Sequence, residues 1–219
     1  MIKEKNPKIK ETFTIAFQNH KNKNYSVAEN LYKEVLKINP NHFDSIFLLG
    51  SLSAQIDNFE QAKNYYEQAI KIKPDEANAL YNLGVVFGKL GENQKAISYY
   101  EKAIVIRSNH ANTHNNLGIL FLKLGEYKKA ISCYERAIKI QSNHADAHNN
   151  LGLVFAQSGE LQKAISYYEK ALVLDPNKEI FNSNYGELLL SLNQHKKGLE
   201  YIKKGAGCIN FTQDNFEII

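Results

Sequence analysis

Two cysteines in 219 residues, Cys133 and Cys208, are too few for a disulfide framework. No stretch approaches the ~18 uninterrupted apolar residues of a membrane-spanning helix. The amino-terminal run MIKEKNPKIKETF lacks the apolar core of a secretory leader. The expectation is a cytoplasmic chain without membrane contact. Charge of one sign is also lacking: 27 Lys and Arg against 23 Asp and Glu leave +4, with no block of lysines. That excess is too small to argue for nucleic acid, and none is expected as a partner. There is no glycine-rich phosphate loop, no nucleophile elbow, no pair of cysteines at redox spacing and no acid pair standing apart from the surface pattern. The chain is therefore expected not to be an enzyme by itself and to need no cofactor.

What the sequence has is a period. Gly50, Gly84, Gly118, Gly152 and Gly186 follow one another at one unchanging interval, and the same interval separates Ala28, Ala62, Ala96, Ala130 and Ala164 and the rings of Tyr32, Tyr66, Tyr100, Tyr134 and Tyr168. Three residue types sharing one period of roughly 20 to 50 residues mean stacked supersecondary units rather than one globular core. With 43% hydrophobic and 23% charged residues the units have enough apolar surface to fold.

Residues 145–178, ADAHNNLGLVFAQSGELQKAISYYEKALVLDPNK, show the unit most clearly. Leu151, Val154 and Phe155 are spaced for one amphipathic helix, and Leu161, Ala164, Ile165, Tyr168, Ala171 and Leu172 for a second. Ser158 and Gly159 interrupt them, and Gly91 and Gly125 hold the same place in earlier units, where positive φ ends a helix. A helical glycine costs about 1 kcal/mol relative to alanine. Its recurrence at Gly152 therefore predicts close helix approach, with Tyr168 and Phe155 filling the adjoining space. Pro40, Pro74 and Pro176 fit the first turn of the following helix, and Ser108 and Ser142, which replace proline, fit its cap. Cys133 stands where other units place Tyr65, Tyr99 and Tyr167, and reads as a small core filler.

The order of Leu-Gly, an aromatic, Ala, an aromatic, Ala and Pro resembles the tetratricopeptide repeat. The resemblance is clearest over residues 43–178. It implies an all-α fold, a right-handed superhelical solenoid of about six antiparallel helix-turn-helix repeats near 9–42, 43–76, 77–110, 111–144, 145–178 and a degenerate 179–204, after a lead-in at 1–8. The first repeat has Ala16 in place of glycine. The last keeps Tyr185 and Gly186 but carries Gly198 and Gly205 where alanines belong, as expected of a frayed or capping repeat. The tail, residues 205–219, is not a repeat. Three readings stay open for it: a strand docked on the solenoid, a segment entering a neighbouring copy and so driving self-association, or the start of a further domain.

In the family the first helices line the concave face. Carried over, that face includes Asn82, Asn116, Asn150 and Asn184, each two positions before a repeat glycine. Amides donate and accept, so a row of them suits the backbone of an extended peptide. The row, with HNNLG at His114 and again at His148, resembles the asparagine ladder of O-linked N-acetylglucosamine transferases. Thr14 and Leu48 interrupt it in the first two units, where Phe13, Phe17, Phe47 and Tyr81 make the groove more apolar. Lys21, Lys89 and Lys123, near the ends of first helices, favour acidic ligands mildly. The family's carboxylate clamp for chaperone C-termini needs Lys and Arg where this chain has Asn78, Asn112 and Asp146, which argues against a chaperone co-factor. His110 with His114, and His144 with His148, have i, i+4 spacing. They lack the glutamate of a zinc-protease helix, and packing is preferred to a metal. The expected function is a protein-interaction scaffold binding an extended peptide in the concave groove. The alternative is the substrate-presenting arm of a larger or multi-chain enzyme, such as a glycosyltransferase or hydroxylase.

Overall fold

The computed structural model describes residues 7–206, 209–211 and 216–218. Two compact units divide the chain, Met1–Ser108 and Asn109–Ile219. The first holds α1 (Pro7–Lys21), α2 (Tyr25–Ile38), α3 (Phe43–Gln55), α4 (Phe59–Ile72), α5 (Ala77–Lys89) and α6 (Asn93–Ile106). The second holds α7 (Ala111–Lys123), α8 (Tyr127–Ile140), α9 (Ala145–Gln157), α10 (Leu161–Leu174), α11 (Glu179–Ser191) and α12 (His195–Ala206). Successive odd and even helices pair as hairpins, and within each unit the second helix of one hairpin packs on the first helix of the next. The fold is an all-α solenoid of helical hairpins. After α12, β1 (Ile209–Phe211) and β2 (Phe216–Ile218) pair antiparallel, Ile209 opposite Ile218.

Each hairpin turns on one residue of positive φ: Gly91, Gly125 and Gly159 at 74–80°, and Lys23, Asp57 and Asn193 at 57–61°. All six stand in the register of the repeat, so the turn is imposed even where the sequence supplies no glycine. For an L-residue that conformation costs on the order of 1–2 kcal/mol, partly offset by the greater chain entropy of glycine when unfolded. Lys23→Gly is accordingly expected to stabilise the first unit by about 0.5–1 kcal/mol in urea titration, and Gly125→Ala to destabilise the second by a similar amount.

The prolines do not open helices. Pro40, Pro74 and Pro176 lie in the turns that follow α2, α4 and α10, ahead of the first residue of the next helix. Each follows a C-cap in extended conformation, Asn39, Lys73 and Asp175, with φ between −131° and −144° and ψ of 85–92°. A proline forces that geometry on the residue before it and cannot continue a helix, so its place is the stop signal. Arg107 and Gln141 adopt the same geometry before Ser108 and Ser142. Those serines therefore share the turn, and the N-cap places of α7 and α9 belong to His110 and His144.

Glycine at the centre of α3, α5, α7 and α9 makes room for a ring. A Cβ built on Gly50, Gly84, Gly118 or Gly152 would lie 2.6–2.8 Å from Tyr66, Tyr100, Tyr134 or Tyr168 respectively. The last hairpin solves the same contact differently. Ile202 stands in the tyrosine place, and α11 and α12 close until a Cβ on Gly186 would meet the Gly198 carbonyl and the Ile202 amide, both at 2.9 Å. A Cβ on Gly205 would meet the Glu179 carbonyl at 2.6 Å. Gly198 and Gly205 are thus what backbone contact requires, and α12 is a formed helix rather than a frayed one.

Candidate functional site

In the second unit α9 touches α7 and α11 as well as α8 and α10. Neighbours on so many sides bury Ala147, His148, Asn149, Leu151, Gly152, Val154 and Phe155. Among the residues left accessible are Asp146, Asn150, Leu153 and Gln157, which form a stripe at i, i+4, i+7 and i+11. The matching stripe on α7 is Asn112, Asn116, Ile119 and Lys123, and on α11 it is Ile180, Asn184, Glu187 and Ser191.

Asparagines cross-link these stripes. Asn150 Nδ2 donates to Asn115 Oδ1 at 3.0 Å, and Asn184 Nδ2 donates to Asn149 Oδ1 at 3.1 Å. Longer bonds run within each helix, from Asn115 Nδ2 to Asn116 Oδ1 at 3.4 Å and from Asn149 Nδ2 to Asn150 Oδ1 at 3.5 Å. The result is an amide chain through Asn116, Asn115, Asn150, Asn149 and Asn184. Asn116, Asn150 and Asn184 are half-buried, while Asn115 and Asn149 are buried. Sequence reasoning chose only the second asparagine of each HNN. The first is the acceptor that fixes the next helix's amide, and the only signal for it was that the doublet itself recurs one repeat later. Ile119 and Leu153, half-buried beside the amides, were missed as well.

In the first unit the Tyr66 hydroxyl lies near Asn82 and Ser51, and burial pushes this phenol up to about 12 against their opposing influence. The expected groove rings are mostly engaged in packing. Phe13 lies 5.8 Å from Tyr32 and 5.2 Å from His42, Phe47 lies 5.6 Å from Tyr66, and Tyr81 lies 5.9 Å from Tyr100. Phe17, 39% exposed, stacks on Phe13 with Lys21 Nζ 4.7 Å from its centroid. Lys89 and Lys123 are found in the last turns of α5 and α7.

The polar residues opening the first helices act as fasteners. Arg107 donates to Asn78 Oδ1 at 2.9 Å, His144 Nε2 to Asn112 Oδ1 at 2.9 Å, and Lys178 pairs with Asp146 at 2.6 Å. His144 also caps α9, its Nδ1 accepting from the Ala147 amide at 3.2 Å. Both its nitrogens are used in the neutral state. Burial lowers its pKa below the ordinary 6.5, opposed by Asp146 and reinforced by His148 and Lys178. The unfolded chain therefore takes up a proton first as pH falls through about 6.5, and stability falls with it. Thermal unfolding of the second unit is expected at lower temperature at pH 5.5 than at pH 7.5. His144→Asn, which retains a capping side chain, is expected to shrink that difference.

The tetratricopeptide repeat model matches residues 75–143 and 109–176, and a TPR repeat model matches residues 50–91. These matches run through more than half of the chain, which belongs to the tetratricopeptide repeat family. Among solved structures, MamA is 28% identical, with TM-score 0.69 over 74% of this chain and 95% of that one. PilW, a type IV pilus biogenesis factor, gives TM-score 0.80 at 20% identity over 90% of this chain and 91% of that one. YrrB, a TPR protein with an unusual peptide-binding site, gives TM-score 0.63 at 22% identity over 80% and 91%. No curated protein matches the sequence. Among the described residues no helix is long and apolar enough to cross a membrane, and no group of three His, Cys, Asp or Glu could hold a metal.

Proposed function

We propose that this chain is a protein-interaction scaffold whose first-helix faces bind an extended protein segment, with Asn116, Asn150 and Asn184 contacting the segment's backbone. The carrying observation is the amide chain across α7, α9 and α11. Each of the three asparagines has its orientation fixed by a neighbouring amide, and Asn150 and Asn184 keep part of their donor and acceptor capacity for a ligand. Prior fixing of the side chains lowers the ordering cost of binding. Ile119 and Leu153 supply an apolar strip beside the amides, and Lys123 and Glu187 give it charges of opposite sign. Such a strip favours a segment alternating aliphatic and polar side chains over a uniformly acidic one. In the first unit Asn82, Tyr81, Phe47, Phe13, Lys89 and exposed Phe17 form the corresponding face, with more aromatic surface. YrrB, which shares the fold, supports a peptide ligand.

The test is capture from a lysate of the source organism on wild-type protein and on an Asn116→Ala, Asn150→Ala double variant, quantified by mass spectrometry. The variant leaves Asn115 and Asn149 short of partners and should lose about 1–3 kcal/mol, while keeping its helical circular dichroism. Specific partners are expected to fall at least about tenfold, equivalent to ~1.4 kcal/mol of binding energy. Undiminished capture on the folded variant removes the asparagines from the site.

A further inference from the structure

The second helices of the second unit form a layer of their own. α8 packs on α7 and α9, α10 on α9 and α11, and α12 on α11, so the exposed sides of these three helices point away from the first-helix stripes. That layer gathers charge which the sequence spreads out. Helices α8, α10 and α12 hold ten Lys and Arg against Glu135, Glu169 and Glu200, a balance of +7. The whole chain carries +4, so all its other residues together sum to −3. Helices α2 and α4 are neutral, and α7, α9 and α11 together carry −2. All ten cations are exposed.

Their placement follows the repeat. Lys129, Lys163 and Lys197 share one register position, and Arg136, Lys170 and Lys204 share another seven residues on. Seven residues are about two helical turns, so each helix presents two cations on the same side, roughly 10 Å apart. In α2 and α4 the same positions hold Val27 with Glu34 and Gln61 with Gln68. The array thus belongs to the later repeats and not to the repeat framework. Glu126 and Glu160 pair with Lys129 and Lys163. Among the described residues no ion pair engages Arg136, Lys170 or Lys204. Lys170 and Lys204 lie instead along Tyr167 and Tyr201, with Nζ 5.2 and 5.0 Å from the ring centroids, which steadies the charges without neutralising them. One aliphatic side chain stands among the cations. Val173, 82% exposed, falls between Glu169 and Lys170 around the exposed side of α10.

We infer that the second-helix face of the second unit is a peripheral docking surface for an anionic lipid bilayer. Charge complementarity sets the sign of the occupant, and the kind of cation sets its class. Nine of the ten are lysine. Recognition of nucleic-acid phosphates and bases favours the planar, bidentate guanidinium, whereas the diffuse negative potential of a leaflet takes lysine as a point charge. Each Lys or Arg brought near such a surface contributes about fivefold to partitioning, the equivalent of ~1 kcal/mol. An exposed valine gains nothing against a phosphate backbone or an acidic peptide, but it enters the boundary between headgroups and acyl chains. The surface is on the layer opposite the asparagines and is independent of what they bind.

The experiment is co-sedimentation of the full chain with vesicles of phosphatidylcholine alone and of phosphatidylcholine with phosphatidylserine. Binding is expected only to the second, and is expected to weaken as salt shortens the screening length from ~8 Å at physiological strength to ~3 Å at 1 M. An Arg136→Gln, Lys170→Gln, Lys204→Gln variant is expected to lose about a hundredfold in partitioning, three factors of about five. A Lys33→Gln, Lys37→Gln, Lys71→Gln variant, which removes the same charge from α2 and α4, is expected to change it less than about threefold. Val173→Gln keeps every charge and is expected to weaken vesicle binding about threefold or more. No sedimentation with the anionic vesicles, equal losses in the two triple variants, or indifference to Val173→Gln would overturn the inference. In the last case, tighter binding of duplex DNA or polyglutamate would reassign the face to a soluble polyanion.

Discussion

Tyr168→Ala is expected to destabilise the second unit by about 3–5 kcal/mol, because the ring is fully buried and fills the space left by Gly152. The same contact predicts a change of sign. Alone, Gly152→Ala drives a methyl to 2.7 Å from a ring that has nowhere to retreat, and the overpacking cost of ~1–3 kcal/mol exceeds the ~1 kcal/mol gain in helix propensity. In the Tyr168→Ala background the obstruction is gone, so Gly152→Ala is expected to stabilise by about 1 kcal/mol. A double-mutant cycle in urea measures this coupling directly. Additive effects would show that the glycine recurs for some reason other than the ring.

Raising the pH is expected to unfold the protein cooperatively between about pH 11 and 12. Burial pushes the Tyr32 and Tyr66 phenols up to about 12. Tyr134 and Tyr168 go higher for the same reason, and so does Tyr185, where burial is joined by the hydrogen bond to Glu169. In the unfolded chain these groups titrate near 10. Between the two values the unfolded state binds fewer protons, so stability falls as pH rises, by up to ~1.4 kcal/mol per pH unit for each buried tyrosine. Tyrosinate absorbance from these residues should appear together with loss of helical circular dichroism. Tyr66→Phe should shift the transition upward, since it removes one of the titrating groups.

The framework was legible because each element of it is a contact between residues of fixed spacing. The separation of Gly152 from Tyr168 is repeated between Gly50 and Tyr66, Gly84 and Tyr100, and Gly118 and Tyr134, so the period alone reports the close helix pair. Turn chemistry was legible only in part: Gly125 announces its turn, whereas Lys23 and Asp57 are forced into the same conformation by the helices on either side. The prolines were misplaced because a proline is compatible both with starting a helix and with stopping one. Only the extended C-caps Asn39, Lys73 and Asp175 distinguish the two. In the candidate site, Asn150 and Asn149 are the same residue type one position apart, yet one is half-buried on the stripe and the other buried as its partner. That division depends on the neighbouring hairpins, which no local pattern encodes.

Whether these asparagines read backbone rather than side chains is tested most directly with the segment recovered by capture, synthesised in three forms: unmodified, N-methylated at successive backbone amides, and alanine-substituted at successive side chains. N-methylation at the amides facing Asn116, Asn150 and Asn184 is expected to lower affinity at least about tenfold, while most alanine substitutions change it less than about threefold. Affinity insensitive to N-methylation but destroyed by single alanine substitutions would contradict backbone reading.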